Sequence, residues 1–93
     1  MSYRVELRPT ADREYSRLSP DARTAVLTLL HDLGVEPRRR GVAAVRGRPG
    51  VLRARVGDYR VLFKVDDGER LVSVGRIAPR GRVYKRLREL RFD

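Results

Sequence analysis

The stretch that most constrains the fold runs from Val51 to Ile77, V-L-R-A-R-V-G-D-Y-R-V-L-F-K-V-D-D-G-E-R-L-V-S-V-G-R-I. Gly57-Asp58 and Asp67-Gly68 are turn dipeptides, and the residues between them alternate with the period of two that a half-buried strand requires. Three consecutive antiparallel strands are therefore expected. With two-residue loops at both turns the register follows by counting: Val56 faces Tyr59, Arg55 faces Arg60, Ala54 faces Val61 and Arg53 faces Leu62. Across the second turn the same count sets Val61 against Val74, Phe63 against Val72 and Arg60 against Gly75.

Side chains on successive strand residues point opposite ways, so this register sorts the meander onto two faces. Leu52, Ala54, Val56, Tyr59, Val61, Phe63, Val65, Val72 and Val74 share one face, which reads as core. Arg53, Arg55, Arg60, Leu62, Lys64, Ser73 and Gly75 share the other. Like charges set opposite one another cost stability, as Arg55 and Arg60 would. Two readings remain: a face built for an anionic partner, or a solvated face in an arginine-biased chain.

Composition narrows the partner. The formal charge is +10 and only Lys64 and Lys85 are lysines, so a polyanion, nucleic acid first, is the expected ligand. Arginine bias alone would give the same count, so placement carries more weight than number. There is no cysteine and a single histidine, His31, which removes disulfide and thiolate or histidine-cluster metal chemistry. No metal and no cofactor are expected. No segment approaches the roughly 20 apolar residues of a membrane span, so a cytoplasmic protein without a membrane partner is expected. At 93 residues the chain is read as one domain, residues 1–93.

In chain order, Tyr3 to Arg8 alternates apolar and charged residues and reads as a first strand stopped by Pro9. Thr10 can cap a short helix from about Ala11 to Leu18, with Ala11, Tyr15 and Leu18 inward. Ser19-Pro20-Asp21 is a second helix start, followed by a stripe of Ala22, Ala25, Val26, Leu29, Leu30 and Leu33 that Gly34 should end. His31 falls beside that stripe and reads as a surface residue. Residues 37–50, P-R-R-R-G-V-A-A-V-R-G-R-P-G, form a basic connection with a short strand at Val42–Val45. After the meander, Pro79 and Gly81 break the strand, and Val83 to Leu90 reads as a short helix with Val83, Leu87 and Leu90 inward. The expected class is α+β: an N-terminal strand, a helical hairpin on one sheet face, three or four further antiparallel strands and a short C-terminal helix.

On these residues the chain resembles the RelE/ParE superfamily of type II toxin–antitoxin toxins. The resemblance spans nearly the whole chain, from Y-R-V-E-L and P-T-A-D-R-E-Y-S-R-L-S-P-D-A-R through E-P-R-R-R-G-V-A-A-V-R-G-R-P-G. Its most specific piece is L-R-A-R-V-G-D-Y-R-V-L-F-K-V, and the ending R-I-A-P-R-G-R-V-Y is similar to the family's closing motif. The arginine-rich strand pair and the closing V-Y favour the RelE-like branch. The resemblance implies an endoribonuclease that cuts mRNA in the ribosomal A site and inhibits translation. It also implies an acidic cognate antitoxin, with mRNA and ribosomal RNA as the nucleic-acid partners. Cleavage by this branch is implied to run through attack of a ribose 2′-hydroxyl on the adjacent phosphate.

Carried over by position, Arg60 of G-D-Y-R matches the arginine on the scissile phosphate, and Arg53 and Arg55 match basic positions of the preceding strand. Arg80 matches an arginine of the closing motif, and Tyr84 the tyrosine that stacks on the substrate base. These five are the expected catalytic set; Arg46, Arg48, Lys64, Arg82 and Lys85 are expected RNA contacts around them. Two positions depart from the pattern. Pro79 stands where many relatives carry histidine, and Gly81 where they carry a second arginine, which leaves no evident general base. The rival readings are a ParE-like inhibitor of DNA gyrase without nuclease activity, and a non-catalytic basic RNA-binding module.

Overall fold

The computed structural model describes residues 2–93. Five strands form one mixed sheet in the order β1-β5-β4-β3-β2, with β1 at Arg4–Leu7, β2 at Ala43–Ala44, β3 at Leu52–Val56, β4 at Tyr59–Asp66 and β5 at Leu71–Pro79. Helices α1 (Pro9–Ser16) and α2 (Pro20–Val35) separate β1 from the rest. β1 runs parallel to β5, which it joins only after the whole helical hairpin has been made; the other pairs are antiparallel. This is the expected α+β arrangement.

Local chemistry sets the helix ends. Ser19 accepts a hydrogen bond from the Ala22 amide at 3.3 Å and Pro20 opens α2, as its start signal requires. α1 begins earlier than its hydroxyl suggested. Pro9 occupies the first turn, Arg8 is the cap residue, and Thr10 caps nothing, because proline's fixed φ is already helical. α2 runs one residue past Gly34, which is a packing glycine instead of a terminator. A β-carbon there would lie 3.3 Å from both the Tyr3 carbonyl oxygen and a Val5 methyl, a tight fit, so glycine eases the close crossing of α2 over β1. No helix among the described residues is long and apolar enough to cross a membrane.

The first hairpin has the register counted from the sequence, Arg53 to Leu62 through Val56 to Tyr59. Gly57 takes φ +57° at the first loop position, as two-residue hairpin loops demand. The second hairpin differs. Its loop holds four residues, with the Asp66 carboxylate accepting from the Glu69 amide at 3.0 Å and Arg70 at φ +51°. Phe63 therefore pairs with Val74 and Val65 with Val72. A shift by two leaves every side chain on its expected face. Beyond it, Phe63 opposes Val74 but Leu62 opposes Arg76, so Gly75 is the extra residue of a bulge. Arg60 then faces Ala78, not Gly75.

Two cores result. Between helices and sheet lie Ala11, Val26, Leu30, Leu33, Ala54, Val61, Phe63, Val72, Val74 and Ile77. The other face, which carries Leu62 among its arginines, is covered along part of its length. Val45, Val51, Leu62 and Ala78 are buried there beneath Val83, Leu90 and Phe92 of the C-terminal segment. Val83 and Leu90 point inward as expected, but helical geometry is confined to one 3₁₀ turn at Leu87–Glu89. Pro79 and Gly81 spend the preceding residues on turns, and Arg86 at φ +54° prevents the helix from starting sooner.

At the far end of the sheet, Tyr3 donates its hydroxyl to Asp67 Oδ1 at 2.6 Å and Arg38 forks onto the same carboxylate at 3.0 and 3.1 Å. The Arg38 hydrogen bond, then that of Tyr3, holds the Asp67 carboxyl below the usual carboxylate range. The bond to Asp67 in turn lifts the Tyr3 phenol above its ordinary value. A lowered carboxylate stabilises the fold above its unfolded pKa of about 3.9, and that contribution fades as pH falls. A raised phenol does so below its unfolded pKa of about 10, fading as pH rises. The urea midpoint of Asp67→Asn should thus lie closest to that of the parent at the acid and alkaline extremes and furthest below it near neutrality. A gap that stays constant from acid to alkaline pH would refute the network's contribution. The network is exposed, so the gap is small.

Candidate nucleic-acid interface

The sheet face opposite the helices is divided between the second core and a groove of about 620 Å³. The alternation of β3 aims Arg53 and Arg55 into it, while Ala54 between them turns to the helix-side core. β4 contributes Arg60, set across the strand pair from Arg55. Arg46 comes from the turn after β2, and the segment after β5 supplies Arg80, Gly81 and Tyr84. Leu87 closes one side.

Each side chain has a local reason for its place. Arg60 bends over its own hairpin turn, donating through Nη1 to the Gly57 carbonyl at 3.2 Å and the Tyr59 carbonyl at 3.0 Å. The rest of its guanidinium is left for a ligand. Arg80 is brought to the same turn by its backbone amide, which donates to the Asp58 carbonyl at 2.9 Å. The chain then folds back, with the amides of Arg82 and Val83 donating to the Pro79 carbonyl at 2.9 and 3.0 Å. Buried Val83 anchors that fold-back, leaving Tyr84 44% exposed beside the arginines.

Five guanidinium groups thus line one concavity with no carboxylate among its lining residues. Unneutralised charge of one sign in a concave site raises the local concentration of anions. Planar guanidinium forks suit phosphate oxygens, and an exposed phenol ring offers a stacking surface for a base. Proton transfer is another matter. Arginine stays protonated below a pKa of about 12, and neither histidine nor an acidic residue lines the groove. The groove can bind and polarise a phosphodiester; a proton acceptor has to come from elsewhere. His31 is no candidate, since it lies beside Leu27 and Leu30 on α2, lining a separate hollow against β1.

The expected catalytic set, Arg53, Arg55, Arg60, Arg80 and Tyr84, is gathered here together with Arg46. Four other expected contacts are not. Arg48 donates to the carbonyls of Leu87 at 2.6 Å and Leu90 at 2.9 Å and lies over the Phe92 ring, so it fastens the C-terminal segment. Lys64 covers the same ring. Arg82 lines a smaller hollow near Glu14 and Arg17, and Lys85 is exposed outside the groove. Sequence reasoning missed Leu87 as a wall. It also missed Glu14 and Arg76, whose partners lie too far along the chain for any local pattern to reveal.

Several known proteins are similar to this chain in sequence and fold. Residues 5–84 match the family described as the ParE toxin of the type II toxin-antitoxin system parDE. The chain is 36% identical over 87 residues to Toxin RelG of Mycobacterium tuberculosis, covering 92% of this chain and 100% of that one. Among solved structures, the toxin–antitoxin complex RelBE2 of M. tuberculosis superposes with a TM-score of 0.76 at 34% identity, over 86% of this chain and 100% of the other. The archaeal RelE–RelB complex of Pyrococcus horikoshii follows with a TM-score of 0.75 at 28% identity, over 89% and 100%.

Proposed function

The chain belongs to the RelE/ParE superfamily of type II toxin–antitoxin toxins, and from that premise we propose that it is a ribosome-dependent mRNA endoribonuclease that arrests translation. The observation that carries the reading is the meeting of five arginines and Tyr84 around one groove free of carboxylates. In the proposed reaction, Arg60 holds a non-bridging oxygen of the scissile phosphate. Arg53, Arg55 and Arg80 spread positive charge around the phosphorane, and Tyr84 stacks on the neighbouring base. The 2′ oxygen bonds to phosphorus as its proton leaves, the bond to the 5′ oxygen breaks, and that oxygen takes up a proton. The products are a 2′,3′-cyclic phosphate and a free 5′-hydroxyl.

Arginines stabilise the charge but move no proton, so in-line placement of the 2′-hydroxyl has to supply much of the rate. The ribosomal A site is where that placement is proposed to occur. The antitoxin partner is proposed to be an acidic segment that neutralises the arginines.

A ParE-like reading, binding gyrase without cleavage, is favoured by two observations: the matched family is described as a ParE toxin, and the groove lacks a general base. Induction in cells with primer extension on translated and untranslated copies of one mRNA separates the two. The nuclease reading expects codon-phased 5′ ends on the translated copy alone. Intact message accompanied by DNA damage and gyrase arrest overturns it.

A further inference from the structure

The groove's closing wall is held in place by residues outside it. We propose that Glu14 and Arg76 form a positioning pair that sets the turn carrying Arg80 and Tyr84, an inference that rests on the function proposed for that groove. β1 pairs with β5 only from Leu71 to Val74, and the ladder ends where the Arg8 amide donates to the Val74 carbonyl at 2.8 Å. Beyond that point β5 has no strand beside it on that edge. Glu14, on α1, fills the gap: its Oε1 accepts from the Ile77 amide at 2.8 Å across 63 residues of sequence.

The same carboxylate faces Arg76. Its Oε2 lies 3.5 Å from Arg76 Nε, a charge contact too loose to be a hydrogen bond, and Nε has no hydrogen-bond partner among the described residues. The two side chains are only 18% and 23% exposed. At its other end, Arg76 Nη1 donates to the Lys85 carbonyl at 2.6 Å and approaches the Val83 carbonyl at 3.4 Å. Those two carbonyls flank Tyr84. One relay therefore runs from helix α1 through a guanidinium to the backbone on either side of the exposed tyrosine.

A partly satisfied, half-buried ion pair contributes little stability for its desolvation cost. What it supplies here is aim. Val83 anchors the turn by burial and the Lys85 amide donates to the Arg82 carbonyl at 3.1 Å, but neither holds the carbonyls beside Tyr84 against rotation. Fixing the carbonyls before and after Tyr84 removes that rotation, and misplacement of a catalytic group by about 1 Å can cost roughly 100-fold in rate.

The variants to compare are Glu14→Gln, which keeps an amide oxygen for the Ile77 amide but removes the charge, and Arg76→Gln. Both should melt within a few degrees of the parent yet cleave translated message about tenfold to a hundredfold more slowly. The loss should vanish in a Tyr84→Ala, Arg80→Ala background, because a pair that acts through the turn has nothing left to position. Parent-like cleavage by the folded variants, or a loss that multiplies with that of the turn double variant, overturns the inference. A second arm needs no activity. Amide exchange at Lys85 and Arg82 in the free protein should quicken in both variants while β4 amides hold; unchanged exchange overturns the pair's role. If the parent itself cleaves no translated message, the nuclease reading fails and amide exchange alone decides the positioning claim.

Discussion

Arg60→Ala is expected to abolish growth arrest while leaving the protein folded and about as stable as the parent. Both halves follow from its surroundings. The side chain donates only to the carbonyls of Gly57 and Tyr59 at the turn of the β3–β4 hairpin, bonds worth about 1 kcal/mol or less each where water can replace them. It also stands opposite Arg55, so its removal relieves a like-charge cross-strand pair, a gain of roughly 0.2–1 kcal/mol. The two effects nearly cancel. Function is not balanced in this way, because losing one donor to a developing phosphorane costs about 100- to 1000-fold in rate. Growth curves after induction and a urea melt of the purified variant measure the two halves. Persistent toxicity from Arg60→Ala would show that the site is misassigned. Arrest lost together with the cooperative melt would mean that Arg60 serves the fold.

A large stability effect is expected from Gly75→Ala. A β-carbon at Gly75 would sit 2.5–2.9 Å from three atoms of the Phe92 ring, closer than packed carbons approach. The ring cannot shift freely, since it is buried against the sheet with Arg48 and Lys64 over it at 5.4 and 5.5 Å. Overpacking of this kind costs about 1–3 kcal/mol, or roughly 10 °C in a domain of this size. Displacing Phe92 also loosens Leu90 and the two carbonyls that Arg48 grips, and with them the Leu87 wall of the groove. Phe92→Ala should cost about 3 kcal/mol by itself. In that background Gly75→Ala should be nearly silent. A thermal-melt double-mutant cycle measures the coupling, and additive costs would mean that Gly75 matters for its backbone and not for the ring above it.

These two residues also mark where sequence reasoning succeeded and where it stopped. Arg60 could be placed beside Arg53 and Arg55 because a two-residue hairpin with Gly57 at its first loop position has one register, and the alternation then assigns faces. The second hairpin was out of reach in detail. A four-residue loop and a one-residue bulge both preserve the alternation that the sequence displays, so neither leaves a mark in the pattern until pairing partners are known. That is why Arg60 was expected opposite Gly75 and is found opposite Ala78.

The amino-acid sequence by itself determined the α+β class, the helix start at Ser19, the first hairpin with its arginine face, and the family to which the chain belongs. Each is a short-range or periodic property of the chain, or an ordered series of motifs. Tertiary structure alone decided the rest. It folded the C-terminal segment over part of the sheet face that carries Leu62, gave Gly34 and Gly75 packing roles, and set Arg48 as a clasp on that segment. It also joined Glu14 to Ile77 and Arg76. Contacts across many residues of chain depend on which surfaces meet, and no local spacing encodes that. The groove is where the two kinds of information combine: strand alternation supplies Arg53, Arg55 and Arg60, and the returning chain brings Arg80 and Tyr84 across to them.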